Sequence, residues 1–197
     1  EEIQKISSAC KITDKCFNSL LEELDKSNSQ KLNSSFKTEL QLANFLENQF
    51  QENGVQASFP TIVASASNSA IPHHITSNQK LRKGFLLLDL GVFYQNYSSD
   101  MSRTIYLGTP GKEEIARYQL LQDCQSQALQ EIKEGKDFLE LDKSVRHKLG
   151  KYSSHFIHSL GHGVGLEIHE SPYFNQSQKI QKNQIFTLEP GIYFYQK

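Results

Sequence analysis

Four of the chain's seven histidines fall between Ser154 and Glu170, in the run His155-Phe156-Ile157-His158-Ser159-Leu160-Gly161-His162-Gly163-Val164-Gly165-Leu166-Glu167-Ile168-His169-Glu170. Imidazole titrates near neutral pH and is the commonest metal ligand. Burying several imidazoles together requires partners for their ring nitrogens. Glycine at every second position from Gly161 to Gly165 lets the backbone approach something closely, or turn where a Cβ would clash. The stretch reads as a site for metal binding or acid–base chemistry; a histidine-rich surface loop is the plain alternative. One known pattern is excluded. His158 and His162 stand four apart, but the helical zinc-peptidase motif needs a glutamate directly after the first histidine, and Ser159 occupies that place. The three glycines also oppose a long helix here.

Three carboxylates join this stretch. Asp89 follows Leu86-Leu87-Leu88, and a carboxylate at the end of an apolar strand is costly unless it is paired or holds a cation. Asp100 lies eleven residues on; a hairpin turning near Tyr94–Gln95 places the two on facing strands and on one face. A divalent cation relieves their repulsion. The plain alternatives are a turn-capping Asp100 or one carboxylate sharing a proton with the other. Glu189 repeats the theme after Ile185-Phe186-Thr187-Leu188, with Pro190-Gly191 forcing a bend that aims it. Oxygen-rich ligands with one or two imidazoles suit Mn²⁺, Fe²⁺, Co²⁺ or Zn²⁺. Bridging carboxylates favour two ions roughly 3.5–4 Å apart, a geometry used to activate water.

The elements that must position these groups follow from periodicity. Ile3, Ile6, Cys10, Phe17, Leu20, Leu21 and Leu24 recur at helical spacing and predict a helix over 2–25. Lys26–Ser35 is polar and predicts a loop, with Ser35 capping a second helix over 36–52 that ends at Asn53-Gly54. Strands are expected over Phe59–Ala66, Phe85–Tyr94 and Ser99–Leu107. Helices over 113–133 and from Phe138 to Leu149 follow, stopped by Gly135 and Gly150, then a loop at Pro172–Gln178 and a strand pair Gln184–Leu188 and Ile192–Tyr195. The order helix, helix, hairpin, helix, helix, strands is a weak repeat of about 100 residues. It predicts an α+β fold in which each half sets two helices on one side of an antiparallel sheet.

Composition narrows the partners. The chain has 197 residues, is 37% hydrophobic and carries a formal net charge of -1. That suits a globular protein with a real core and gives no electrostatic ground for nucleic-acid binding. Three cysteines form no disulfide framework and fit a reducing, cytoplasmic compartment. No apolar run reaches the ~20 residues of a membrane span, and Glu1-Glu2-Ile3-Gln4-Lys5 is not a signal peptide.

Taken together, Leu88-Asp89-Leu90-Gly91, Ser99-Asp100-Met101-Ser102-Arg103-Thr104, His158 to Leu166, Ile168-His169-Glu170 and Thr187-Leu188-Glu189-Pro190-Gly191-Ile192-Tyr193 resemble the pita-bread metallopeptidases, over nearly the whole chain. Any one motif alone is weak; their joint order is specific. Ser-Asp-Met-Ser-Arg-Thr, Glu-Pro-Gly-Ile-Tyr and Ser69-Ala70-Ile71-Pro72-His73 resemble the branch of Xaa-Pro aminopeptidase and prolidase rather than methionine aminopeptidase. The resemblance implies a duplicated α+β fold with helices outside a curved antiparallel sheet. It implies two divalent ions, Mn²⁺ foremost, held by Asp89, a bridging Asp100, His162 and Glu189. Glu189 would also shuttle the proton of a bridging water, while His73, His158 and His169 orient the substrate. His74 is the alternative to His73, and Arg103 would hold the hairpin carboxylates from behind. His147 and His155 receive no role.

The implied reaction cleaves the bond between an N-terminal residue and proline in short peptides, and the implied assembly is a homodimer. The family also has a further glutamate on the strand after Glu-Pro-Gly, and none of the eight residues after Glu189 is acidic. The expectation is therefore a catalytic domain over 1–197, cut short at its carboxyl end and without the amino-terminal domain of larger relatives. A non-catalytic peptide-binding module on the same fold, or a methionine aminopeptidase, stands as the alternative.

Overall fold

A computed structural model describes residues 1–26 and 36–194. The chain divides into two compact units, Glu1–Pro110 and Gly111–Phe194, each with its own core.

In the first unit, α1 spans Glu2–Lys26 and α2 spans Glu39–Glu52. The second helix starts three residues later than the pattern predicts, because Thr38 caps it, accepting from the Gln41 backbone at 3.3 Å. The predicted cap Ser35 and the loop leading to it lie outside the described residues. Asn53-Gly54 ends α2 as expected, with Gly54 left-handed at φ 72°. Ala9, Cys16, Phe17, Leu20 and Leu24 of α1 and Leu42, Leu46 and Phe50 of α2 are buried with Leu86, Leu88 and Leu90.

Those leucines belong to β3 (Gly84–Leu90), which pairs antiparallel with β2 (Ile62–Ser65) on one side and β6 (Met101–Leu107) on the other. β3 runs seven residues and carries Asp89 one position before its end. The single strand predicted over Phe85–Tyr94 is divided at Gly91. Beyond it β4 (Val92–Tyr94) joins a second sheet, between β1 (Gln56–Ala57) and β5 (Tyr97–Ser98). A Cβ on Gly91 would collide with the Ser99 carbonyl oxygen and with Ser58 Oγ, so only glycine fits there. The hairpin keeps one register across the break: Leu90 faces Met101 before it and Phe93 faces Ser98 after it. Gln95 and Asn96, both at positive φ, make the two-residue turn.

The second unit holds α3 (Lys112–Glu131) and α4 (Phe138–Leu149). Asp137 caps α4, accepting from the backbone of Leu139 and Glu140. The core is more aromatic than the first: Phe138 meets Phe174 at 4.8 Å and Phe186 at 5.1 Å between ring centres, all edge to face. Two short strands that periodicity does not predict, β7 (His162–Gly163) and β8 (Glu170–Tyr173), pair across the histidine run; β8 takes in the start of the loop expected at Pro172.

The predicted pairing of Gln184–Leu188 with Ile192–Tyr195 does not form among the described residues, and Tyr195 lies outside them. Instead the 185–189 segment runs beside the histidine stretch. Backbone bonds join Glu189 N to Leu160 O (2.8 Å), Thr187 N to His162 O (2.9 Å) and Val164 N to Ile185 O (3.4 Å). One return bond is diverted: His162 N donates to the Thr187 hydroxyl at 3.1 Å.

The repeat is visible in these pairings. The bridge Thr38↔Lys80 recurs 99 residues later as Asp137↔Lys179. Glu39 N to Gln79 O recurs as Phe138 N to Gln178 O, and Leu81 N to Lys37 O as Ile180 N to Lys136 O. The β2–β3 register, Ile62 facing Asp89, maps by the same offset onto the 160–164 and 185–189 segments. The second unit is built on the first one's plan with its ladder thinned.

Candidate metal centre and its histidines

Asp89 lies at the end of β3. Leu86, Leu88 and Leu90 turn to the helices, so alternation puts Asp89 on the opposite face. Ser102 faces it across the ladder and donates from Oγ to Asp89 Oδ1 at 2.9 Å. Asp100 directly precedes β6, two residues before Ser102, which keeps it on the Asp89 side as a diagonal neighbour. The expectation of two carboxylates on one hairpin face thus corresponds to the register observed. Ser99, beside Asp100, fixes this point of the hairpin. Its hydroxyl lies 2.7 Å from Thr13 Oγ1 of α1 and accepts from the Val92 backbone at 2.9 Å.

Arg103 departs from expectation. It is exposed, pairs with Asp14 at 3.7 Å, lies 6.0 Å over the Phe17 ring and donates to the carbonyl of Ser102. The reason is strand alternation: Arg103 faces Leu88, on the helix side, away from Asp89. Ser102 makes the supporting bond instead. Its signal was present, since a polar residue opposite Asp89 in the hairpin register shares its face.

His73 and His74 follow a 3-10 turn at Ala66–Ala70. His74 Nε2 lies 2.8 Å from Glu39 Oε2, and Glu39 is fully buried. His73 is exposed. The alternative between the two rings therefore divides physically: one is committed to a carboxylate and the other is open.

In the second unit the glycines act by close approach. A Cβ on Gly161 would strike the Thr187 carbonyl, and one on Gly163 the Ser171 carbonyl. The histidine stretch is thereby pressed between two backbones, which aims its rings. His162 Nδ1 lies 2.9 Å from the Gly163 carbonyl oxygen. A carbonyl only accepts, so the proton sits on Nδ1. In the neutral ring Nε2 then presents a lone pair to Glu189 Oε1, 3.3 Å away. That oxygen is buried and has no hydrogen bond among the described residues. Two lone pairs at this distance call for a positive charge between them, a proton or a cation. A metal-bound histidine commonly donates its other N–H to a carbonyl in this way, so the donor set fits a divalent ion. Burial pushes the Glu189 carboxyl up, but the neighbouring His162 and Thr187 outweigh it and hold the group below its ordinary value.

His169, itself exposed, sets its ring 4.2 Å from that of His162. His158 donates from Nδ1 to the Ser159 carbonyl at 2.8 Å, and its Nε2 lies 3.0 Å from the Tyr193 hydroxyl. His155, given no role, rests against Phe194 at 4.5 Å.

A pair that the sequence does not single out supports the first part of the stretch. Arg146 of α4 binds Asp142 (2.6 Å) and donates to the carbonyls of Phe156 (2.7 Å) and His158 (2.6 Å), while Asp142 accepts from Leu160 N at 2.8 Å. The i, i+4 spacing of opposite charges was its only signal.

A model of metallopeptidase family M24 matches residues 4–197. The chain belongs to metallopeptidase family M24. Over 199 residues the M24 chain is 37% identical to the Xaa-Pro dipeptidase of Pyrococcus furiosus, an alignment covering 98% of this chain and 55% of that protein. Among solved structures, prolidase from Thermococcus sibiricus overlays it with a TM-score of 0.89 at 36% identity, over 98% of this chain and 52% of that one. The X-Pro aminopeptidase of Thermotoga maritima gives 0.90 at 33%, over 100% and 55%. The M24 chain stands on the prolidase branch and has the pita-bread fold. It spans about half the length of the curated relatives it matches. Membership of a metallopeptidase family implies divalent metal ions. No helix among the described residues is long and apolar enough to cross a membrane.

Proposed function

We propose that the protein to which this chain belongs hydrolyses Xaa-Pro bonds in short peptides, releasing the residue before proline, as dipeptidase or aminopeptidase. The observation that carries the reading is the His162–Glu189 pair, an imidazole nitrogen 3.3 Å from a buried carboxylate oxygen, in a chain whose relatives include a named Xaa-Pro dipeptidase. Residues 1–197 act as one catalytic domain. Asp89, Asp100, His162 and Glu189 supply the metal ligands. Two divalent ions fit this oxygen-rich set; Mn²⁺ is the first choice, with Co²⁺, Fe²⁺ and Zn²⁺ as alternatives. Such ions, when bound, supply Lewis acidity and make water a nucleophile near neutral pH.

The chain's own residues do the rest. Glu189, a carboxylate held ionised, takes a proton from the attacking water and returns it to the leaving proline nitrogen. His73, His158 and His169 orient the peptide and hydrogen-bond the carbonyl oxygen as it gains charge. Ser102 holds Asp89 in its rotamer. The substrate is a peptide with proline second; nucleic acid and membrane are not partners. Three sparse cysteines suit a cytoplasmic protein, and homodimerisation is part of the reading.

The test is hydrolysis by the full-length protein loaded with Mn²⁺. Cleavage of Ala-Pro or Ala-Pro-Ala supports the proposal. Cleavage of Met-Ala-Ser without Ala-Pro moves it to a methionine aminopeptidase. Metal retention with no cleavage of any peptide moves it to a binding module.

A further inference from the structure

The most deeply buried acid of the first unit lies outside the ligand set. Glu39, the first residue of α2, has no solvent exposure. A bare carboxylate in that position is costly, and three donors meet it. Oε1 accepts from Ser65 N and from Asn68 Nδ2, each at 2.8 Å, and Oε2 meets His74 Nε2 at 2.8 Å. The start of α2 adds its own favourable field. All three donors belong to one segment, the loop that leaves β2 at Ser65 and carries His73.

That loop needs holding. It opens with Ala66 at φ 53°, a left-handed position that costs a non-glycine residue about 1 kcal/mol or more. Its turns are short: Ile71 N to Asn68 O at 3.0 Å and His74 N to Ile71 O at 3.1 Å. At the far end Thr76 Oγ1 accepts from Val63 N at 2.8 Å and donates to Thr61 O at 3.0 Å. Between these anchors Glu39 grips the beginning, middle and end of the loop. His73 is exposed and adjoins the pinned His74, so its position follows from that grip.

We infer that Glu39 is a positioning residue for His73: through Ser65, Asn68 and His74 it sets the loop from which His73 reaches the substrate. The inference rests on the substrate-orienting role proposed for His73. Glu39 touches neither substrate nor metal; it acts only through the loop.

A double-mutant cycle in the metal-loaded full-length protein separates this from general stabilisation. Glu39→Ala, Glu39→Gln and His74→Gln are made in the native and in the His73→Ala background, and kcat, KM and bound metal are measured on an Xaa-Pro peptide. The expected result is a kcat loss approaching 100-fold for Glu39→Ala, the scale of a misplaced orienting group, with smaller losses for Glu39→Gln and His74→Gln. Metal content stays unchanged. In the His73→Ala background the same substitutions cost almost nothing more. If Glu39→Ala does not fold, the two milder variants carry the cycle. Losses that multiply in the His73→Ala background, with His73→Ala itself impaired, overturn the inference alone. A silent His73→Ala overturns both the inference and the reading of His73.

Discussion

The two units share a plan and differ in what holds their functional loops. In each, a carboxylate on the second helix grips the segment after it: Glu39 binds the Ser65–His74 loop, and Asp142 with Arg146 binds Phe156–Leu160. In the first unit the grip is made on side chains and one backbone N–H, with a histidine as one of the donors. In the second it is made wholly on backbone groups, with the charge balanced inside the helix by an i, i+4 pair. The difference follows from what each loop carries. The second grip falls in the Ser154–Glu170 stretch, which has four histidines and three glycines, and it holds backbone groups while leaving the rings available. The first loop has two adjacent histidines and commits one of them. A duplicated scaffold has thus been specialised by moving charges, while its backbone register is kept at the 99-residue offset.

The sharpest way to break the comparison is at the proposed ligands. If both units serve one reaction, Asp89→Asn in the first and His162→Ala in the second each lower kcat by about 10³ or more, since each removes several kcal/mol of charge stabilisation. Each also lowers bound metal, counted by elemental analysis of the purified full-length protein. Activity that survives either change confines the chemistry to one unit. Ser102→Ala gives the graded version, a loss of about 10–100-fold, because it removes only the bond that steadies Asp89.

The cores differ as well. The second unit closes on Phe138, Phe174 and Phe186, the first on Leu86, Leu88 and Leu90. Phe138→Ala removes two edge-to-face contacts from a fully buried site and is expected to cost about 3–5 kcal/mol; Leu88→Ala is expected to cost about 2–5 kcal/mol. Urea unfolding followed by circular dichroism measures both. A Phe138→Ala loss under about 1 kcal/mol would show that the aromatic cluster adds little beyond filling space.

Much of this was legible in the chain. The four helices announce themselves by apolar spacing, and the proposed ligands Asp89, Asp100, His162 and Glu189 stand out by residue type and motif. What stayed hidden depends on close approach and register. The division of one apparent strand at Gly91 comes from Ser58 and Ser99 lying against it, and neither has a local signature. The 185–189 segment has strand composition, but its partner is the glycine-interrupted histidine run, which no alternation pattern marks. The motif alone puts Arg103 on the carboxylates, whereas counting strand positions puts it on the other face and leaves Ser102 on the Asp89 side. Glu39 looks like an ordinary acid in a first helical turn; its role depends on a loop 26 residues downstream.

The smallest expected effect concerns the helix caps, which occupy the same place in the two repeats with different chemistry. Thr38 caps α2 with a hydroxyl, and Asp137 caps α4 with a carboxylate that also binds Ser177 and Lys179. The Ser177 hydroxyl and the backbone donors at the helix start outweigh burial and hold the Asp137 carboxyl below its usual range. A group whose folded pKa is depressed stabilises the fold above its unfolded pKa of about 3.9 and loses that contribution as pH falls through the folded value. Thr38 does not titrate. Thr38→Ala is therefore expected to cost about 1 kcal/mol at every pH, whereas the deficit of Asp137→Asn against the native chain is full at pH 6 and shrinks below pH 4. Urea midpoints of both variants, read at pH 6 and pH 3, decide it. A deficit for Asp137→Asn that persists unchanged at pH 3 would mean that the cap works through its geometry alone, and that the two repeats differ there in residue type but not in physics.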